Sequence, residues 1–259
     1  MEFLFLGTGA ADFSPQEVAR TDGFSKEVRR ASAALAAGRI LIDCGPHALG
    51  ALHLAGVDPA GITDLLLTHT HADHLHLPSV ASLAGLTAAP LHIWCDGGAA
   101  DALTGVEKAT VHAVNTADCL LLRGINATPL AANHRTDRLG EQPLHWILEK
   151  QGKSLFYGCD GAWLRTDTFY QLRGRSLDLM VLDGTVGDQL GDERVCEHNS
   201  LAMVRLLLPS LRQAQVVAPN GRILISHLAA TLHPSHAEVS AALRPAGIGV
   251  AYDGLTLRI

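Results

Sequence analysis

Short apolar runs recur along the chain and stop at glycine, proline or aspartate, the punctuation of strands in a layered fold. Residues 2–6 read as a strand stopped by Gly7-Thr8-Gly9, and residues 39–42 as a second, stopped by Asp43-Cys44-Gly45-Pro46. Residues 62–67 are apolar on both faces, as in a buried strand. Further strands are predicted over 90–94, 120–129, 144–149, 154–157, 179–182, 222–225 and 249–252. An Asp253-Gly254 turn then leads into a last strand over 255–259, closing a terminal hairpin. Helical spacing falls between these runs, over 47–55, 76–84, 200–208 and 234–243. Strands outnumbering helices, with the helices set between them, predict a layered α/β sandwich. Residues 12–30 are polar with little periodicity and read as a long surface loop.

Composition narrows the classes. A chain of 259 residues can bury one large core, so a single domain over 1–259 is expected, with no need of disulfides. The net charge of −6 argues against a broad footprint for long nucleic acids. Aromatics at 5% argue against a stacking platform for single strands. No apolar run is long enough to span a bilayer, and the first residues carry no basic leader. The five cysteines are scattered, with no Cys-x-x-Cys pair, so a cytoplasmic location is expected. A homodimer is compatible with all of this. The outlier is histidine, with 14 copies.

Several of them bunch. Directly after the buried strand comes Thr68-His69-Thr70-His71-Ala72-Asp73-His74. In extended chain residues i and i+2 point the same way, so His69 and His71 can reach one cation. A turn into helix would bring Asp73 and His74 to the same side. Imidazole nitrogen and carboxylate oxygen suit zinc, and also manganese or iron. Downstream, His134, Asp160 and His227 are each the first strongly polar side chain beyond an apolar run. His47, His53, His76, His92, His112, His145, His233 and His236 lack such company and are expected on surfaces or helix faces.

Residues 68–74 resemble the His-x-His-x-Asp-His signature of the metallo-β-lactamase superfamily. The order of His134, Asp160 and His227, the opening Leu6-Gly7-Thr8-Gly9 and the segment Leu41-Ile42-Asp43-Cys44-Gly45 are similar to it too. The resemblance implies a four-layer αββα sandwich of the metallo-β-lactamase type holding two divalent metal ions. It assigns His69, His71 and His134 to the first ion, Asp73, His74 and His227 to the second, and Asp160 to a bridge. Asp43 would hold a ligand histidine in the right tautomer.

Such a pair of ions activates a bridging water, so a hydrolase is expected. An aspartate at the bridge is similar to the superfamily's phosphodiesterases, transfer-RNA 3′-processing endonucleases and glyoxalase-type thioesterases. Glu197-His198-Asn199-Ser200 resembles the histidine motif of the RNase Z and cyclic ribosyl phosphodiesterase branch. There the histidine helps at the scissile phosphate or the leaving group. His198 and Asp73 are therefore the candidate catalytic side chains, and a small phosphodiester the expected substrate. Thioesterase, lactonase and transfer-RNA processing are the alternatives. His198 precedes a predicted helix, whose N-terminus attracts anions and disfavours an imidazolium in the free protein. Cyclic phosphodiesterases of that branch carry a cysteine-rich zinc loop near the N-terminus, whereas residues 12–30 here contain no cysteine. The Arg29-Arg30 pair that follows is expected to overhang the pocket and bind the substrate's other phosphate or sugar.

Overall fold

The computed structural model describes residues 1–189 and 191–259, which divide into two compact units. The first comprises Met1–Asn115, Thr136–Leu144 and Tyr252–Arg258; the second comprises Thr116–Arg135 and His145–Ala251, with Ile259. Each is built on one seven-stranded sheet.

In the first unit the strands are β1 (Glu2–Gly7), β2 (Ala33–Ala36), β3 (Ile40–Ile42), β4 (Asp64–Leu66), β5 (Leu91–Asp96), β6 (Ala109–Val114) and β14 (Thr256–Arg258). Their order across the sheet is β14-β1-β2-β3-β4-β5-β6. The β14, β1, β2 and β3 contacts are antiparallel; from β3 to β6 the pairing is parallel. Parallel strands need crossovers, and α2 (Ala48–Leu54) and α3 (Leu77–Leu86) supply two of them. Leu41, Leu65 and Ile93 pack with Leu52, Val80 and Leu83 in one core.

The second unit contains β7 (Leu120–Leu122), β8 (Ile125–Ala131), β9 (Leu144–Lys150), β10 (Lys153–Gly158), β11 (Leu177–Asp183), β12 (Val217–Ser226) and β13 (Ile248–Val250). They lie in the order β13-β12-β11-β10-β9-β8-β7, again with a parallel half, from β10 to β13. Its helices are α4 (Thr166–Leu172), α5 (Leu201–Gln213) and α6 (His236–Leu243). Met180, Leu182, Ile223 and Ile225 pack with Val204, Leu208, Leu211 and Val239.

Several expectations change in physical detail. The terminal hairpin does not form: β13 joins the second sheet and β14 the first, so the Asp253-Gly254 segment passes between sheets. The run over 120–129 is split into β7 and β8 at Arg123-Gly124, both with positive φ. The loop over 12–30 contains a short helix, α1 (Pro15–Arg20), capped by Ser14 and burying no residue, which is why it has no apolar period. Helix α5 starts after Ser200 as the pattern indicates but runs through Pro209 to Gln213. An interior proline costs about 3 kcal/mol. Here the buried stripe Leu201, Val204, Leu208 and Leu211 continues beyond it and carries the helix on. No helix of the described residues is long and apolar enough to cross a membrane.

Candidate metal centre

In the first unit the candidate donors follow β4, whose buried run continues through the first of them, His69. Asp43 leaves β3 with φ of 60°, a left-handed conformation that aspartate tolerates better than most residues. Its fully buried carboxylate accepts from the Thr68 backbone N–H at 2.8 Å and hydroxyl at 2.9 Å. His74 Nδ1 donates to the other oxygen at 2.8 Å. Burial pushes the Asp43 pKa up, and His74 and Thr68 pull it back. With Nδ1 committed, His74 keeps its lone pair on Nε2, which lies 3.4 Å from Asp73 Oδ2.

The Thr68 hydroxyl proton is spent on Asp43, so this oxygen accepts from His69 Nδ1 at 3.0 Å. That leaves His69 Nε2 unprotonated, 2.9 Å from His71 Nδ1. Two imidazole nitrogens at this separation share either a proton or a cation. The loop is held from behind as well. Cys44 N–H donates to the His74 carbonyl at 2.8 Å, and His76 N–H to the Cys44 carbonyl at 2.9 Å. Gly45 makes this approach feasible, because a Cβ there would stand 2.1 Å from the Asp73 carbonyl oxygen.

In the second unit the donors come from separate strand ends. His134, beyond β8, points Nδ1 at the Glu197 carbonyl, 3.2 Å away, and Nε2 towards Asp160 Oδ2 at 3.6 Å. Asp160 leaves β10 with φ of 59°, and its Oδ1 lies 2.8 Å from His227 Nδ1. His227, beyond β12, has φ of 58°. Left-handed backbone at these two positions is strain of the kind that functional sites store. Asp183, at the end of β11, accepts from Thr185 N–H at 2.8 Å and Asn199 N–H at 3.1 Å. His198 Nδ1 stands 2.7 Å from Asp183 Oδ2. Donor atoms of Asp160, Asp183, His198 and His227 all lie within 4.8 Å of one another.

Burial lowers the His198 pKa, but the Asp183 carboxylate more than offsets it and the net shift is upward. The Asp183 carboxylate, which the sequence reading did not include, thus favours the imidazolium at His198. His145 also departs from expectation. It is buried on β9 and donates from Nε2 to the Asp160 carbonyl at 3.0 Å. Desolvation pulls its pKa down to about 4, so it holds the Asp160 turn as a neutral ring.

The donor sets contain only imidazole nitrogen and carboxylate oxygen, which fits divalent ions of the zinc, manganese and iron type. A family model described as a β-lactamase superfamily domain matches residues 38–244. The chain belongs to the metallo-β-lactamase superfamily. The comparison of structures agrees over the whole chain. A diphosphatase of the PhnP family is 22% identical with a TM-score of 0.76, covering 100% of this chain and 97% of its own. Zinc-bound PqqB from Methylobacterium extorquens is 16% identical with a TM-score of 0.72, covering 100% of both. The short form of human tRNase Z is 20% identical with a TM-score of 0.70, covering 100% and 99%. At these identities the likeness is one of fold. No curated protein sequence matches the chain. The fold class is thus the metallo-β-lactamase sandwich, and the superfamily is one of metal-dependent hydrolases.

Asp183, Thr185, Asn199 and His145 were not singled out from sequence. Asp183 ends an apolar run just as Asp160 follows one, and that signal was available. Arg29 and Arg30 do not project from a loop: they are 9% and 4% exposed. Arg29 Nη1 donates to Thr8 Oγ1 at 3.0 Å, and Arg30 pairs with Asp253 at 3.4 Å and reaches the Gly23 carbonyl at 3.0 Å. Asp253 collects the Thr8 and Arg30 backbone N–H groups as well, at 2.9 and 2.8 Å.

Proposed function

We propose that this member of the superfamily is a phosphodiesterase acting on a small phosphodiester in the cytoplasm. His69, His71 and His134 would hold one divalent ion, Asp73, His74 and His227 a second, and Asp160 both. When bound, such ions polarise the phosphoryl group and lower the pKa of an attacking water. Asp43 and Thr68 fix the tautomers of His74 and His69 so that Nε2 faces outward. Asp73, whose Oδ2 lies 3.4 Å from His74 Nε2, would orient that water as well as hold metal.

The observation that carries the reading is the His198–Asp183 pair. An imidazole whose Nδ1 is anchored 2.7 Å from a buried carboxylate, with its pKa raised, is poised to give a proton from Nε2 to a departing alkoxide. Thioester cleavage places less demand on such an acid, because thiolate leaves readily. Metal-loaded protein should therefore turn over bis(p-nitrophenyl) phosphate far faster than an acyl thioester of similar size. The opposite order would overturn the proposal in favour of an acyl hydrolase. Removal of metal by a chelator should abolish turnover, and zinc or manganese should restore it. The overall acidity of the chain supports a small substrate over transfer RNA.

A further inference from the structure

Within the first unit a cavity of about 310 Å³ opens beside His71. That is at the lower end of the roughly 300–1,000 Å³ range of ligand pockets. Its apolar lining includes Leu75 and Leu77, and its polar lining is Thr70, Asp137 and Arg138.

Three features of that polar lining are unusual together. The Thr70 hydroxyl donates to Glu141 Oε2 at 2.5 Å, so towards the cavity it can only accept. Arg138 is half-buried and its Nε is tied to the Gly98 carbonyl at 3.3 Å, which fixes the plane of the fork. Its backbone N–H is held by Thr136 Oγ1 at 3.3 Å. Yet among the described residues Arg138 has no carboxylate partner, and neither does Asp137 have a cation. Opposite charges on adjacent residues line one cavity without pairing. A guanidinium anchored by one edge presents its remaining N–H groups in the geometry that suits a planar or tetrahedral anion.

We infer that this cavity is a substrate-binding subsite for a hydroxylated group bearing an anionic substituent, either phosphate or carboxylate. Arg138 binds the anion, and Asp137 and the Thr70 oxygen accept from the hydroxyls. Leu75 and Leu77 pack against the carbon skeleton. Arg138 thus takes the recognition role that Arg29 and Arg30, engaged with Thr8 and Asp253, do not fill. The inference rests on the phosphodiesterase reading for the position of the reacting phosphate, next to His71.

Binding and turnover are therefore measured separately. Metal-loaded wild-type protein, R138A and R138K are titrated calorimetrically with 2-hydroxyethyl phosphate, phosphoglycolate and ethylene glycol bisphosphate. These share one phosphate and differ in what the other end carries. Wild type should bind the two doubly anionic probes at least about tenfold more tightly than the hydroxyethyl one, an increment of roughly 1.4 kcal/mol. R138A should bind all three alike, and R138K should recover part of the preference as a point charge. Whichever probe binds more tightly, carboxylate or phosphate, identifies the anion. No preference in wild type, or the same preference in R138A, overturns the subsite. The p-nitrophenyl diesters of the same three alcohols are then assayed. A binding preference that depends on Arg138 without any diester hydrolysis would overturn the phosphodiesterase reading while keeping the subsite.

Discussion

The parallel half of each sheet begins with a strand that delivers a buried aspartate in left-handed backbone: Asp43 after β3 and Asp160 after β10, at φ of 60° and 59°. In both units the next strands to the parallel side then supply a threonine and histidines. In the first unit Thr68 and His74 converge on Asp43. In the second, Thr185 and His198 converge on Asp183, at the end of β11. The chemistry is the same trio of carboxylate, hydroxyl and imidazole beside the carboxyl ends of parallel strands, where open α/β sheets place their ligands, with His198 coming from the segment just before α5. The construction differs. The first unit writes its donors into one loop, residues 69–74. The second collects them from four strand ends, so each donor depends on the sheet's register. A local loop tolerates change in distant segments; the dispersed set needs the whole sheet in place.

The largest test of that contrast is Asp160→Ala. It should abolish detectable turnover and sharply reduce the second metal equivalent, measured by plasma mass spectrometry. Two metals per chain with wild-type turnover would show that the second unit donates no bridging ligand.

Next come the carboxylates that serve histidines. His198→Ala and Asp183→Asn should keep both metals and lose about 10²–10⁴-fold in rate on poor leaving groups, the usual contribution of a general acid. Both should lose much less on p-nitrophenolate. Collapse of metal content in His198→Ala would make His198 a ligand, and equal losses on good and poor leaving groups would make it a phosphate binder. Asp43→Asn acts through a proposed ligand instead. It should weaken metal affinity by about 10–100-fold, with activity recovering in excess metal. If Asp43→Asn and Asp183→Asn gave the same signature, the two trios would not have diverged in role.

The smallest effect belongs to Asp253, a buried carboxylate with no histidine to serve. Burial pushes its pKa up to about 6, against the hydrogen bonds and charge of Arg30 and Thr8. An unfolded aspartate titrates near 4, at about 3.9. The folded state therefore holds the proton more tightly. The resulting stability is fully present below about pH 4 and is lost as pH rises through about 6. In metal-free protein, Asp253→Asn should remove this slope from denaturant-unfolding free energies across that window. Its metal content on reloading should match wild type. A metal defect in this variant would mean that the Thr8–Arg30 network reaches the donors after all.

Much of the fold was legible because it rests on local pattern. The runs that became β1, β9, β10 and β12, and the helical spacing over 200–208 and 234–243 that became α5 and α6, follow from apolar period; the Ser200 and Ser235 caps mark where the two helices start in the structure. Strand β2 was missed because Ala33–Ala36 carries no β-branched residue, and β6 because only Val114 of its six residues is buried. The donors His69, His71, Asp73 and His74 were readable as one contiguous motif, and His134, Asp160 and His227 as polar residues beyond apolar runs. Asp183 carried the same signal at the end of an apolar run, but Thr185 and His145 did not, since nothing in one sequence shows which carboxylate a hydroxyl or a buried imidazole will serve. The fate of Asp253 and the two arginines was also a tertiary decision. A basic pair after a polar segment reads as available to a substrate until a buried carboxylate is brought to it, at a sequence separation of 223 residues. Periodicity and spacing are properties of neighbours along the chain. Which charge meets which, across such separations, is set only when the sheets fix their register.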